Sequence, residues 1–309
     1  MDMTQQPLRG EAHILAHLKP EPMETATLVT ADDGYELAGW LVREDPHPVR
    51  ANLVINSGTG TPKEFYLPFA RFMARQGIQT LVYDYRGIGG SRPRALRGFG
   101  ARMQDWGRLD MPAAVDHMAA LSPDVPTFVL GHSVGGQLLG LMPNHEKVRA
   151  AFLVATSTGY WGDFPKAYGA FAAALWYGVI PLTTSILGYA PAKKMRLGED
   201  LPGGVAREWG EWCKRPSYFA DLATTGQPYF FDKIQYPMWS LGFADDPIAN
   251  PVTIAAMNKL FAKTPIESEF IVPRDIGRKE IGHFGFFSRK SETVLWPKAL
   301  AFFERNIGT

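Results

Sequence analysis

The sequence is short of the features that would place it in several large functional classes. Cysteine is nearly absent: Cys213 is the only one, so no internal disulfide can form, which fits a reducing compartment. A half-buried free thiol is the expected role of that residue. An excess of one charge is also missing, with 32 Lys and Arg against 31 Asp and Glu. Nothing in that balance suggests a nucleic-acid partner or an anionic membrane surface. The first twenty residues hold no seven-residue apolar run, so no secretory leader is expected there and the chain reads as cytoplasmic. His13 and His17 lack a third partner for a metal site. Phosphate-binding signatures fail too. The glycine-rich turn Asp84–Ser91 has the wrong spacing for a dinucleotide fingerprint, and Ser57–Glu64 lacks the glycine-lysine-serine/threonine of a phosphate loop. Neither a cofactor nor a metal is expected.

What is present is apolar sequence arranged in strands and helices. At 309 residues and 46% hydrophobic, the chain can build one large core, or a core with a subdomain. Residues 1–24 read as a lead-in. Thr25–Thr30 and Tyr35–Val42 alternate around Asp32-Asp33-Gly34 as a hairpin. Buried strands are expected at Ala51–Ile55, Ile78–Tyr83 and Thr127–Leu130, and further strands at Val148–Ala155, Met238–Gly242 and Glu267–Val272. Helices are expected at Phe65–Gln76, Asp105–Leu121, Val134–Met142, Pro251–Lys263 and Glu292–Ile307. Repetition of strand, loop and helix argues for a parallel sheet covered on both faces.

About 80 residues separate the strand ending near Ala155 from the one starting at Met238, far more than a crossover needs. Residues 161–236, rich in Trp, Tyr and Phe, read as a helical lid over the crevice at the carboxyl ends of the strands. Within it, Ala167–Ala190 has no charge and marginally reaches the length of a membrane span. Pro181 and three glycines interrupt it, so two helices broken near Pro181 are expected, packed over a core or lining a pocket.

The chemistry centres on Gly131-His132-Ser133-Val134-Gly135, a G-x-S-x-G placed between a strand and a helix. A serine at the tip of such a tight turn sits in a strained backbone, and small residues two before and two after keep neighbouring atoms clear. A serine hydroxyl needs a base, normally an imidazole oriented by a carboxylate. Of seven histidines, His283 alone lies in a loop after the last strand with glycines around it. His132 is expected to pack or bond locally. Asp245 and Asp246 both follow the Met238–Gly242 strand; Asp246 is favoured because Pro247 and Ile248 would hold it rigidly, with Asp245 the alternative. An oxyanion hole would use the N–H of Val134 and one from Thr59, with Gly60 as alternative.

These residues together resemble the α/β-hydrolase superfamily, particularly its lid-bearing serine hydrolases. The matching pieces are Asn56–Gly60, Asp84–Ser91, Gly131–Gly135, Asp246-Pro247-Ile248 and Gly282-His283. Ser157–Trp161, Glu208-Trp209 and Ile281–Phe287 look like a poorly characterised bacterial subgroup of predicted α/β hydrolases, which implies a fold and a triad but no substrate. The implied fold is a mostly parallel twisted sheet with helices on both faces and an inserted helical lid, its core covering 25–160 and 237–309. In one departure, Gly242 to Asp246 is one residue longer than the common glycine-x-x-aspartate, which favours Asp245. The expected activity is cleavage of a carboxylic ester or thioester on a small, apolar acyl compound. Acyl transfer, amide or peptide cleavage by the same triad, or a non-catalytic binding module on the same fold remain alternatives. No nucleic-acid partner or membrane contact is expected, and no oligomeric state is assigned.

Overall fold

The structure, a computed structural model, describes residues 22–45 and 48–308. His13, His17, His47 and most of the expected lead-in lie outside the described residues. Strands β1 (Met23–Thr30) and β2 (Glu36–Arg43) form an antiparallel hairpin. It closes where Gly34 takes φ +82° and Ala31 N–H donates to the Tyr35 carbonyl at 2.9 Å. Strands β3 (Ala51–Asn56), β4 (Ile78–Tyr83) and β5 (Thr127–His132) are buried at every residue. Near-continuous apolar runs of that kind suit strands covered on both faces.

With β6 (Val148–Val154), β7 (Met238–Phe243) and β8 (Ile266–Ile271), an eight-stranded sheet forms in the order β1-β2-β4-β3-β5-β6-β7-β8. The β1–β2 and β2–β4 pairs are antiparallel and the others parallel. Alternate residues of each strand feed two cores. On one face Phe128, Leu130 and Phe152 meet helices α1 (Leu67–Ala74) and α8 (Trp296–Arg305), through residues such as Phe69 and Phe303. On the other, Val54, Val129 and Leu153 share a core with Trp106 and with Val115 and Met118 of α2 (Met111–Leu121). Glu267 on edge strand β8 is an exposed carboxylate and Glu269 a half-buried one; charge along an edge discourages pairing with another chain.

Several helices differ from expectation. The Pro251–Lys263 helix stops as α7 (Pro251–Asn258), and the last begins at Trp296, not Glu292. The Asp105–Leu121 segment opens with a π-turn, Trp106–Asp110, before α2. The elbow helix is α3 (Val134–Gln137), followed by a 3₁₀ turn over Leu138–Leu141. The largest difference concerns Pro181. The chain does not break there: α4 (Lys166–Ala174), a π-turn over Leu175–Val179 and α5 (Ile180–Leu187) make one helical run. Pro181 falls in the first turn of α5, where a missing N–H costs little, because the π-turn has already displaced the hydrogen-bond ladder. The turn comes instead at Gly188, with φ +81°.

This run, Lys166–Leu187, is long and apolar enough to cross a membrane, yet only 22% of its apolar window is buried. Ala172, Trp176 and Ile180 pack inward, while Phe171, Tyr177, Leu182 and Ile186 are exposed. A two-stranded ribbon of Tyr189–Ala190 and Leu201–Pro202 follows, then α6 (Gly203–Cys213). Glu208 on α6 accepts from the backbone N–H of Gln104 at 2.9 Å and from its side-chain amide at 2.7 Å, tying the insertion to the sheet domain.

Candidate active site

Strand β5 delivers its last residue, His132, directly into the serine turn. Ser133 sits at φ 53°, ψ −118°, and its N–H donates to the Val154 carbonyl at 3.0 Å. A β-carbon on Gly131 would lie 2.5 Å from Gly136 Cα, and one on Gly135 would lie 2.1 Å from the Asn56 carbonyl oxygen. Only glycine lets strand, turn and helix pass that closely. The Ser133 hydroxyl makes no hydrogen bond among the described residues and lines a cavity of about 420 Å³.

His283 lines the same cavity from the loop after β8. Its Nδ1 lies 2.7 Å from Asp246 Oδ2. The other oxygen, Asp246 Oδ1, accepts from the N–H groups of Ile248 (2.8 Å) and Ala249 (3.1 Å). Burial pushes the Asp246 carboxyl up, but the His283 bond and charge and those two donors outweigh it, so its pKa lies below the ordinary 3.8. An ionised carboxylate on Nδ1 places the imidazole proton there and leaves Nε2 as the free basic nitrogen. Asp245 does not reach the ring. Its Oδ2 accepts from the N–H groups of Ile281 (2.8 Å) and Gly282 (3.0 Å), fixing the backbone that carries His283.

Thr59 and Gly60 also line the cavity. The backbone N–H groups of Thr59 and Val134 have no acceptor among the described residues, and Thr59 Oγ1 is buried without a partner. Gly60 takes φ +65°, and its carbonyl accepts from Glu199 N–H at 2.8 Å. The turn after β4 braces this loop: Asp84 accepts from Lys63 N–H at 2.8 Å, Lys63 Nζ at 2.6 Å and Gly90 N–H at 2.8 Å.

A second chain of bonds joins the three loops, through a residue the sequence did not mark. Gly58 N–H donates to Tyr66 Oη at 2.7 Å, Tyr66 Oη lies 2.8 Å from His132 Nδ1, and His132 Nε2 lies 3.0 Å from the His283 carbonyl. A carbonyl can only accept, so His132 carries its proton on Nε2 and Nδ1 accepts from the tyrosine hydroxyl. The bonds therefore run one way, from the Thr59 loop through the elbow to the His283 loop. Burial pushes His132 down to about 3, so it stays neutral. Tyr66 lies among core-spaced aromatics, and nothing in spacing alone separates it from them. Cys213 is fully buried rather than half-buried, with burial raising its thiol pKa. The described residues contain no group of three or more His, Cys, Asp or Glu able to hold a metal ion.

Comparison with known proteins bears on this arrangement. A family profile described as "Serine aminopeptidase, S33" matches residues 47–189, from just before β3 through the elbow into the insertion. Among solved structures, an esterase from Pyrococcus furiosus superposes with a TM-score of 0.57 at 14% identity, covering 92% of this chain and 91% of its own. This chain has the α/β-hydrolase fold. An esterase from Exiguobacterium antarcticum gives a TM-score of 0.57 at 15% identity, covering 91% of this chain and 100% of the esterase. An acylaminoacyl peptidase from Pyrococcus horikoshii gives 0.58 at 14%, covering 98% of this chain and 44% of that one. No curated protein matches the sequence significantly.

Proposed function

We propose that this α/β hydrolase is a serine hydrolase that cleaves a carboxylic ester or thioester with an apolar acyl group. One observation carries the reading: the unengaged Ser133 hydroxyl, on a strained backbone, shares an apolar cavity with an imidazole bonded to Asp246 at 2.7 Å. Ser133 Oγ would attack the acyl carbon while His283 Nε2 takes its proton. The N–H groups of Val134 and Thr59 would hold the oxyanion. His283 would return the proton to the leaving oxygen or sulfur, with Asp246 holding the imidazolium. Water, activated by the same imidazole, would then release the acid and restore the serine.

The family likeness favours a second reading, cleavage of an aminoacyl amide. Against it, none of the described residues lining the cavity is Asp or Glu, so no carboxylate there would pair with a free α-ammonium group. The test is fluorophosphonate labelling with peptide mapping on wild type, Ser133→Ala and His283→Ala. Labelling at Ser133 that vanishes in both variants is expected; a folded wild type that stays unlabelled would sink the reading. An ester and an aminoacyl amide of one chromophore, compared by kcat/KM, separate the two substrates.

A further inference from the structure

The cavity is apolar with one conspicuous exception at its rim. Setting aside His132 and His283, Arg196 is the only charged side chain among the described residues that line it. Arg196 is exposed, and its guanidinium makes no ion pair or hydrogen bond among the described residues. The backbone beneath it is unusual: Arg196 takes φ +58°, a region that non-glycine residues rarely enter and that gathers at functional sites.

The surrounding loop holds that conformation firmly. Arg196 N–H donates to the Lys193 carbonyl at 3.1 Å, and Leu197 N–H to the Ala192 carbonyl at 3.0 Å. Two residues on, the loop locks onto the Thr59–Gly60 loop. Glu199 N–H bonds the Gly60 carbonyl at 2.8 Å, and Gly198 passes so close that a β-carbon would lie 2.8 Å from the same oxygen. Arg196 is thereby tethered beside Thr59 and Gly60. The nearby acids are already engaged. Glu199 pairs with Lys193 Nζ at 3.0 Å, while Asp200 accepts from Lys193 N–H at 3.1 Å and faces Arg92 at 3.5 Å. Lys194 is also exposed and forms no ion pair among the described residues. The uncompensated charge at the cavity mouth is positive, in a chain whose total charge is nearly balanced.

We propose that Arg196 anchors an anionic group of the substrate, so that the preferred ester or thioester carries a phosphate or carboxylate at the mouth while its apolar part fills the cavity. This assignment rests on the serine-hydrolase reading and names the substrate class for that site. A free guanidinium offers five donors in a planar fork matched to either oxyanion, and the apolar wall behind it takes only the uncharged part. The tether to Gly60 keeps that cation near the reacting carbonyl.

The test uses the full chain and a pair of substrates differing by one charge, 4-octanoyloxybenzoate and its methyl ester. Wild type should favour the anion in kcat/KM. Arg196→Gln should erase about fivefold or more of that preference through KM, and Arg196→Lys should restore part of it. Hydrolysis of the neutral ester should fall by less than that of the anion. Rising salt should shrink the wild-type preference and leave the Arg196→Gln variant unmoved. Octanoyl-coenzyme A in parallel tells whether phosphate or carboxylate is the better anion. Equal handling of the matched pair by wild type, or an unchanged ratio in Arg196→Gln, overturns the proposal. If neutral ester turnover and fluorophosphonate labelling persist in that case, the hydrolase reading survives it. Binding of the same pair to Ser133→Ala gives the charge preference without turnover, so the anion site is judged even if hydrolysis fails.

Discussion

The sheet domain and the helical insertion are built on opposite rules. Strands β3, β4 and β5 bury every residue, and the helices over them carry large side chains such as Phe69, Trp296 and Phe303 into closed cores. The insertion's longest helical run leaves Phe171, Tyr177, Leu182 and Ile186 in solvent and buries one narrow stripe. The two regions also divide the site. Ser133, Asp246 and His283 come from loops at the ends of sheet strands, whereas Phe164, Trp176, Trp209 and Arg196 of the insertion supply cavity wall and rim. On the proposed reading, the groups that would do the chemistry stand on loops of the sheet, and the groups that would select a substrate stand on the insertion.

The comparison can be broken most sharply at the carboxylates. Asp246→Asn should lower kcat by roughly 10³–10⁴-fold, because the amide cannot hold the protonated imidazole in the same tautomer. Asp245→Asn, which loosens the loop backbone and leaves the ring bond, should cost about tenfold or less. Similar losses for both, measured by steady-state kinetics on a neutral ester, would mean that loop placement and ring orientation are not separable here.

Next come paired truncations in the two regions. Phe152→Ala, in a closed core, should cost about 3–5 kcal/mol in urea unfolding. Leu182→Ser, 60% exposed on the insertion, should stay within about 0.5 kcal/mol. A large loss at Leu182 would show that this outer face is covered in solution.

A further expected effect is a pH dependence at the joint between the loops. His132 is held down to about 3 in the folded chain against an ordinary 6.5, by burial first and by the neighbouring His283 second, with Asp246 acting the other way. The folded state therefore binds fewer protons than the unfolded one through this window. Its contribution is complete above pH 6.5 and declines as pH falls toward 3, by a few kcal/mol at most. His132→Gln should flatten that part of the acid-side slope when urea midpoints at pH 7 and pH 4 are compared. An unchanged slope would place the acid sensitivity elsewhere.

Legibility from sequence followed the same division. Fully buried strands announce themselves as apolar runs, and the serine turn needs two glycines at fixed spacing, so the strands of the sheet and the elbow could be read locally. The choice between Asp245 and Asp246 could not, since Asp246 is turned by the nearby N–H groups of Ile248 and Ala249 while Asp245 is drawn away by Ile281 and Gly282 from a distant loop. Pro181 misled because a local helix breaker was neutralised by a π-turn just before it. Tyr66 was hidden among core aromatics, and Arg196 in a short basic loop gave no sign that its side chain would stand at a cavity rim.

The contact behind Gly135 bears on how this chain can drift through sequence space. The atom that forbids a side chain there is the Asn56 main-chain oxygen, 2.1 Å from the nearest β-carbon position. A lost glycine facing a bulky side chain can be rescued by shrinking that neighbour. Here the obstacle is identical whatever residue occupies position 56, so no second-site side-chain change makes room. A suppressor screen begun from Gly135→Ala should return true revertants and shifts of strand β3 itself, and the route from one sequence to another past this position is closed.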